Sequence, residues 1–255
     1  MNGELLQMMQ LVVTANHYLK TGEFIDCVSY AHVGSLDFIV ERRLFGFWKS
    51  KKTLNSVKEW TQWLRSNQVR EIFLLLGWRD GDRIRSAFAN GVDQWEIVCC
   101  FKDYVMMWET WIQFNENQQN WKYIYQANHI EVANSESPPM ENNLTVLIGA
   151  LKEIELVAEK LELVAFARCF SNAWRILEGE SIAPTYEVDW HGLLDQERKS
   201  IFEALTWAWV FGGMGSWNDG ISFAAEEKGL KEEYDRLSGT LYQEILKALI
   251  YCSKG

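Results

Sequence analysis

The sequence lacks the residue patterns that mark a metal site or a disulfide framework. Its five cysteines are odd in number, none of them stand in a CxxC spacing, and the four histidines lie far from them along the chain. Structural zinc sites draw on closely spaced Cys and His ligands, and small secreted domains pair their cysteines. We therefore expect free thiols, and we expect neither a metal nor another cofactor.

Long apolar runs and a basic N-terminal segment are also missing. No apolar run reaches the roughly 18 residues that a membrane span requires. The segment MNGELLQMMQLVV at the start contains Glu4 but neither Lys nor Arg, whereas a secretory signal begins with basic residues. The sequence thus predicts a cytoplasmic protein that does not associate with a membrane.

Positive charge is scarce relative to negative charge. The chain has 25 Lys and Arg against 35 Asp and Glu, a net charge of −10. From Glu141 to Gly255 there are 11 basic and 19 acidic residues, so this half carries −8 of that charge. Phosphate backbones and anionic lipids repel such a protein, which disfavours nucleic acid as a partner. The acidic half suits a basic protein partner, although solvated helix faces are also commonly charged.

Tryptophan, in contrast, is abundant, with 13 residues in a chain of 255. Its large ring packs in cores, while its N–H group suits the edge of a groove or an interface. We expect most of the 13 in the core and the remainder at a contact surface. The content of 48% hydrophobic and 24% charged residues is typical of a globular protein with a sizeable core.

Hydrophobic periodicity predicts helices in the first part of the chain. Apolar residues recur at spacings of three and four over 4–20 and 23–46, and Thr53 or Asn55 is suited to cap a third helix that ends near Asn67. Aromatic and β-branched residues between 94 and 126 predict an antiparallel meander. The sequence fits either a strand or a helix in two stretches, 69–76 and 95–114.

A polar segment at 133–143 holds two of the three prolines and predicts a linker. Apolar stripes after it predict helices near Leu147, Phe166, Leu194 and Lys231. We therefore predict an α+β protein that is mainly helical, with a small antiparallel β-meander in the N-terminal half and an all-α C-terminal half. The predicted domains are 1–132 and 144–255.

The most distinctive string is WVFGGMGSWNDG at 209–220, with three glycines in four positions. Glycine permits positive φ, and Asn218 or Asp219 is suited to cap the helix that follows. The string follows a predicted helix, lacks the Lys of a P-loop and does not place Ser216 in a GxSxG motif. We interpret it as a structural turn in which Trp217 fills a helix junction.

Together with AFARCFSNAWRIL at 165–177 and LYQEILKALI at 241–250, this string resembles a group of bacterial proteins of unassigned function. The resemblance covers about residues 145–250. Such proteins look like immunity partners of bacterial polymorphic or contact-delivered toxins, which are small, acidic and without enzymatic motifs. The resemblance implies a protein that neutralises a cognate toxin, and it provides no catalytic residues.

Three acidic residues suggest where such a partner would bind. Glu155, Glu159 and Glu162 are spaced by four and three, which predicts three carboxylates on one helix face. With Trp217 and Asp219, they are the residues that we predict to contact a protein partner. Solvated surface is the simpler explanation of the carboxylates, and no histidine at a matching spacing supports a metal site.

Two further functions stay open. Asp219 or Glu203 with His191 would suit a hydrolase-type enzyme whose acid and base are brought together only by the fold. A homo-oligomeric structural protein would instead place the aromatic residues between its own copies. A deep pocket with converging titratable groups would favour the enzyme, a flat acidic surface would favour a binding protein, and light scattering would identify the oligomer.

Overall fold

The computed structural model describes residues 3–29, 33–44, 48–76, 95–116, 119–130, 144–212 and 214–254. Contacts within the chain divide these residues into two compact units. The sheet unit contains the described residues up to 130 together with Ser253 and Lys254, and the helical unit contains those from 144 to 252.

The sheet unit combines two helices with six strands in one mixed sheet. Its elements are α1 (Gly3–Thr21), β1 (Val33–Leu44), β2 (Trp48–Leu54), α2 (Val57–Ser66), β3 (Glu71–Leu76), β4 (Trp95–Cys100), β5 (Val105–Asn115) and β6 (Asn120–Ile130). The strand order is β2-β1-β6-β5-β4-β3, with β1 parallel to β6 and the other neighbours antiparallel. The predicted small antiparallel meander is wrong, because a β1–β2 hairpin extends strands β3 to β6 into a larger sheet.

The helix predicted over 23–46 is also wrong. Residues 33–44 form β1, in which Leu36, Phe38 and Val40 are buried and the residues between them are only half-buried. This alternation is the period of two that a strand requires. Phe38 pairs with Tyr125 of β6, so a strand that is distant in sequence provides backbone hydrogen-bond partners for β1. Within the stretches 69–76 and 95–114, for which the sequence fitted either a strand or a helix, the structure has strand β3 and strands β4 and β5, respectively.

Helix α1 confirms the helix predicted over 4–20 and is buried along most of its length. Its buried polar side chains bond to other elements. Gln7 Oε1 accepts a hydrogen bond from Tyr125 Oη at 2.8 Å, and Gln10 Nε2 donates to the Cys27 carbonyl oxygen at 2.7 Å. The Ser29 N–H donates to Gln10 Oε1 at 3.1 Å. These bonds satisfy polar groups that would be costly to bury alone, and they bind α1 to β6 and to the segment that follows α1.

Helix α2 ends at Ser66, close to the predicted end at Asn67, but its cap differs from the prediction. Ser56 is the N-cap, and its Oγ accepts a hydrogen bond from the Glu59 N–H at 3.2 Å. The Asn55 N–H donates to Glu59 Oε2 at 2.9 Å. The two bonds form a reciprocal arrangement like a capping box, which explains why the helix starts after Ser56.

The helical unit contains α3 (Leu144–Lys160), α4 (Val164–Leu177), α5 (Gln196–Ala208), α6 (Ile221–Glu227) and most of α7 (Lys231–Ser253). Helix α3 packs against α4, and α4 packs against α5. Residues 178–195 and 209–211 have no regular secondary structure, and turns and bends follow at Gly212 and 214–220. The predicted all-α C-terminal half is therefore correct only in part.

The predicted linker at 133–143 lies outside the described residues. The domain boundaries 1–132 and 144–255 stay a prediction. Among the helices of the described ranges, none combines the length and the apolar character needed to cross a bilayer.

Candidate functional site

The three glutamates predicted to share a helix face are separated by the end of α3. Glu155 and Glu159 lie on α3, whereas Glu162 follows it with a φ of 64°, in the left-handed region. Glu162 Oε1 accepts a hydrogen bond from Lys228 Nζ at 2.8 Å, which lowers the pKa of this carboxyl. Glu155 Oε2 accepts one from Trp174 Nε1 at 2.6 Å. The prediction of one continuous carboxylate face is therefore wrong, and only Glu159 stands exposed without such a bond.

Trp217 is fully buried inside the helical unit, with none of its surface exposed. Its ring meets those of Phe166, Phe170 and Tyr234 at centroid distances of 5.3, 5.1 and 5.2 Å. Its Nε1 donates to Ser238 Oγ at 2.8 Å, and Tyr234 Oη donates to its carbonyl oxygen at 2.7 Å. The indole thus fills a junction between helices, and it offers no surface to a partner in this conformation.

The glycine-rich turn is closed by the polar side chains that follow it. Asn218 Oδ1 accepts from the Gly212 N–H at 3.1 Å, and Asp219 Oδ2 accepts from the Gly215 N–H at 2.7 Å. Neither side chain caps α6, whose N-cap is Gly220 with a φ of 79° and no side-chain bond. The predicted capping role is wrong, because both side chains turn back to the loop. Asp219 shapes the turn.

The residues of the hydrolase-type alternative each have a local partner. His191 Nδ1 lies 3.1 Å from Asp189 Oδ2, with both side chains largely exposed. Glu203 Oε1 lies 3.8 Å from Lys199 Nζ on α5, and Asp219 bonds to its own turn. In the part of the chain that the structure describes, no three His, Cys, Asp or Glu residues gather where they could hold a metal ion.

A different surface emerges on the β5–β6 hairpin of the sheet unit. The large apolar side chains that this unit exposes, among its described residues, are Trp111, Ile112, Phe114 and Trp121, at 57%, 40%, 44% and 43%. We call Ile112, Phe114 and Trp121 the hairpin patch. Phe114 pairs with Trp121 across the two strands, and their ring centroids are 4.8 Å apart. Ile112, Phe114 and Trp121 share one face of the hairpin, and Trp111 lies on the other.

The face that is exposed at the patch is buried farther along the same strands. Trp108 and Tyr125 lie on that face and are fully buried. Helix α1 contacts this part, because Tyr125 bonds to Gln7 and Thr110 Oγ1 lies 3.7 Å from Met8 Sδ. The hairpin therefore continues the apolar pattern of the core beyond the part that α1 contacts. Large apolar side chains grouped in this way mark contact surfaces.

Carboxylates lie beside the patch. Burial raises the pKa of Glu4, and burial together with the Glu4 charge raises the pKa of Tyr123, which pairs with Ile112. Glu116 is exposed in the turn next to the patch. Lys122 Nζ, in contrast, lies 2.6 Å from Asp37 Oδ2. Among the described residues, the carboxyl groups of Glu4 and Glu116 therefore border the patch, while Lys122 is paired with Asp37.

The sequence predicted strands in this region but not the patch. The available signal was the alternation of large residues at 108, 112 and 114, which continues up to a polar turn. Whether the large residues at the end of this alternation are exposed depends on how far α1 extends over the sheet. No local sequence pattern encodes that distance.

Comparisons with known proteins gave no match. No protein-family model matches the chain, and no curated protein or solved structure is significantly similar to it. The resemblance to immunity proteins therefore stays an expectation from the sequence, and the candidate site rests on the geometry of the hairpin patch.

Proposed function

We propose that this chain is a non-enzymatic protein-binding protein and that the hairpin patch is its contact surface. The observation that supports it most is the exposure of Ile112, Phe114 and Trp121 together on one face of one hairpin. Aromatic residues of this size dominate the energetics of protein interfaces. Complete burial of a large apolar side chain contributes about 1.5–3 kcal/mol, so covering three that are about half exposed contributes about 1 kcal/mol each before association costs.

The charge of the chain favours a basic partner. The net charge is −10, and Glu4 and Glu116 border the patch. Complementary charge speeds encounter and suppresses wrong partners, while the desolvated aromatic contacts hold the complex. We therefore propose a partner with an apolar cleft surrounded by Lys and Arg.

Within this class, we propose a cognate toxin of the polymorphic or contact-delivered kind, which the chain neutralises in the cytoplasm by covering its cleft. Support for this finer proposal comes from the resemblance of segments 165–177, 209–220 and 241–250 to a group of bacterial proteins and from the acidic composition. The matching segments belong to the helical unit, whereas the proposed contact surface belongs to the sheet unit.

The test is co-expression with the growth-arresting product of a neighbouring gene. We expect growth to be rescued and the purified pair to bind with a Kd of about 1 nM or lower, which corresponds to about −12 kcal/mol. The Phe114→Ala/Trp121→Ala variant should lose rescue while keeping its circular dichroism spectrum. The matched control is Phe223→Ala, at a side chain that is 74% exposed on α6 of the helical unit.

Two results would contradict the proposal. The first is equal loss of rescue in the control and in the double variant. The second is the absence of any complex with the neighbouring products. A concentration-dependent dimer in light scattering, abolished by the double variant, would instead support the homo-oligomeric alternative.

A further inference from the structure

A cavity of about 400 Å³ opens within the sheet unit, away from the residues of the hairpin patch. Its walls come from the C-terminal end of α1, from the start of β3 and from Lys254. Leu19 and Val69 provide apolar lining, whereas Ile72 at the same wall is fully buried. The volume lies within the range of small-molecule sites, roughly 300–1,000 Å³.

The walls are joined by hydrogen bonds, so the cavity does not depend on a ligand to form. Asn16 Nδ2 donates to the carbonyl oxygen of Ile72 at 2.8 Å and to that of Ser253 at 3.1 Å. One amide group therefore bridges α1, β3 and the residue before Lys254. The Arg70 N–H donates to the Cys100 carbonyl oxygen at 2.8 Å, which fixes the backbone at the start of β3.

Among the described residues that line the cavity, the net charge has the opposite sign to that of the chain as a whole. Lys20, Arg70 and Lys254 contribute three cations, and Glu71 contributes one carboxylate, whose Oε1 lies 3.4 Å from Lys254 Nζ. Within the described ranges, neither Lys20 nor Arg70 has a carboxylate at ion-pair distance. A local excess of two positive charges in a chain of net charge −10 favours an anion at this position.

We propose that this cavity binds a small organic anion. Arg70 and Lys20 hold its carboxylate or phosphate group, and Leu19 and Val69 contact its apolar part. The guanidinium of Arg70 can donate two parallel hydrogen bonds to such a group, and Lys20 adds a point charge. Carboxylate and phosphate share this recognition chemistry, so the test includes both.

The experiment is a titration of the full chain with phenyl phosphate and with phenylacetate, followed by the backbone amide NMR signals of Val69 and Ile72. Benzyl alcohol is the uncharged control ligand. We expect saturable shifts with at least one of the anions, weakened by added salt, and no saturation with benzyl alcohol.

Arg70→Gln should weaken binding at least tenfold, and Lys20→Gln should weaken it at least threefold. Lys58→Gln, at an exposed lysine on α2 of the same unit, should change the Kd less than twofold. No saturable binding of either anion, or equal weakening in Lys58→Gln, would overturn the proposal. The readout does not depend on a protein partner, so it is independent of the function proposed for the hairpin patch.

Discussion

The tryptophan of the glycine-rich turn in the helical unit and the aromatic residues of the hairpin patch in the sheet unit are placed in opposite ways. In the helical unit, Trp217 is fully buried and the carboxylate of Asp219 bonds to a neighbouring turn. In the sheet unit, Phe114 and Trp121 are nearly half exposed at the end of a hairpin. The string at 209–220, which stands out in the sequence, therefore contributes to the packing of the helical unit. The candidate contact surface lies in the sheet unit, where the apolar pattern of the core continues beyond the part that α1 contacts.

The acidic charge of the helical unit is distributed in pairs rather than concentrated in one bare face. Ion pairs join Lys152 to Glu178, Lys160 to Glu233, Arg175 to Glu180, Lys228 to Glu162 and Arg236 to Glu153. Exposed pairs of this kind contribute little to stability, typically about 0–1 kcal/mol. Because these carboxylates are paired with nearby cations, the net charge of the helical unit is a poor guide to where a partner binds.

The largest effect that we expect comes from Trp217→Ala, which should lower the free energy of unfolding by about 3–5 kcal/mol. The substitution removes a fully buried ring that contacts three other rings and leaves Ser238 Oγ without its indole donor. Urea denaturation followed by circular dichroism measures it. Phe223→Ala in the same unit should cost less than about 1 kcal/mol. A loss for Trp217→Ala as small as that for Phe223→Ala would contradict the role given to Trp217 in the core of the helical unit.

In the sheet unit, Tyr125→Phe should lower the free energy of unfolding by about 1–2 kcal/mol, because it leaves the buried Gln7 Oε1 without its donor. The ring itself, stacked 5.3 Å from Phe38, is retained. The matched control is Tyr18→Phe at a half-buried residue of α1, which should change stability by less than about 0.5 kcal/mol. Equal losses in the two variants would contradict the role given to the buried bond.

The hairpin patch should matter little for folding. Phe114→Ala removes one partner of an exposed cross-strand pair and should cost about 0.5–1 kcal/mol. Trp108→Ala, on the same strand and face but fully buried, should cost about 3–5 kcal/mol. Denaturant titration of both variants tests the contrast directly. A cost for Phe114→Ala close to that of Trp108→Ala would mean that the patch is part of the core.

The smallest effect concerns a single ion pair in the helical unit. The hydrogen bond and charge of Lys228 lower the pKa of Glu162, so Lys228→Gln should raise it towards its ordinary value. Because the folded-state pKa is the lower one, the pair stabilises the fold above the unfolded-state pKa, and this contribution is lost as the pH falls through the folded-state pKa. NMR titration measures the shift. The pKa of Glu180, lowered by Arg175, is the internal control and should not move.

Much of the helical unit could be predicted from the sequence because its signals are local. The apolar stripe near Leu147 predicted α3, and the stripe near Phe166 predicted α4, which ends at Leu177. The end of α3 at Lys160 interrupts this regular spacing. It also takes Glu162 off the helix face on which the spacing had placed it.

The sheet unit was harder because its decisive contacts are not local. Phe38 belongs to a strand because Tyr125 of β6 pairs with it in parallel, and nothing near Phe38 in the sequence reports that partner. The exposure of Trp121 likewise depends on where α1 contacts the sheet. The candidate site was therefore missed, although Ile112, Phe114 and Trp121 fall within the predicted meander.

The most direct test compares the two surfaces against one partner. The Kd for the growth-arresting product of the neighbouring gene is measured by isothermal titration calorimetry for the unaltered chain, for Phe114→Ala/Trp121→Ala and for Glu159→Gln, which alters the exposed carboxylate on α3. We predict at least a hundredfold weakening for the hairpin variant and less than threefold for Glu159→Gln. The reverse order would contradict the account, because it would assign the binding to the helical unit.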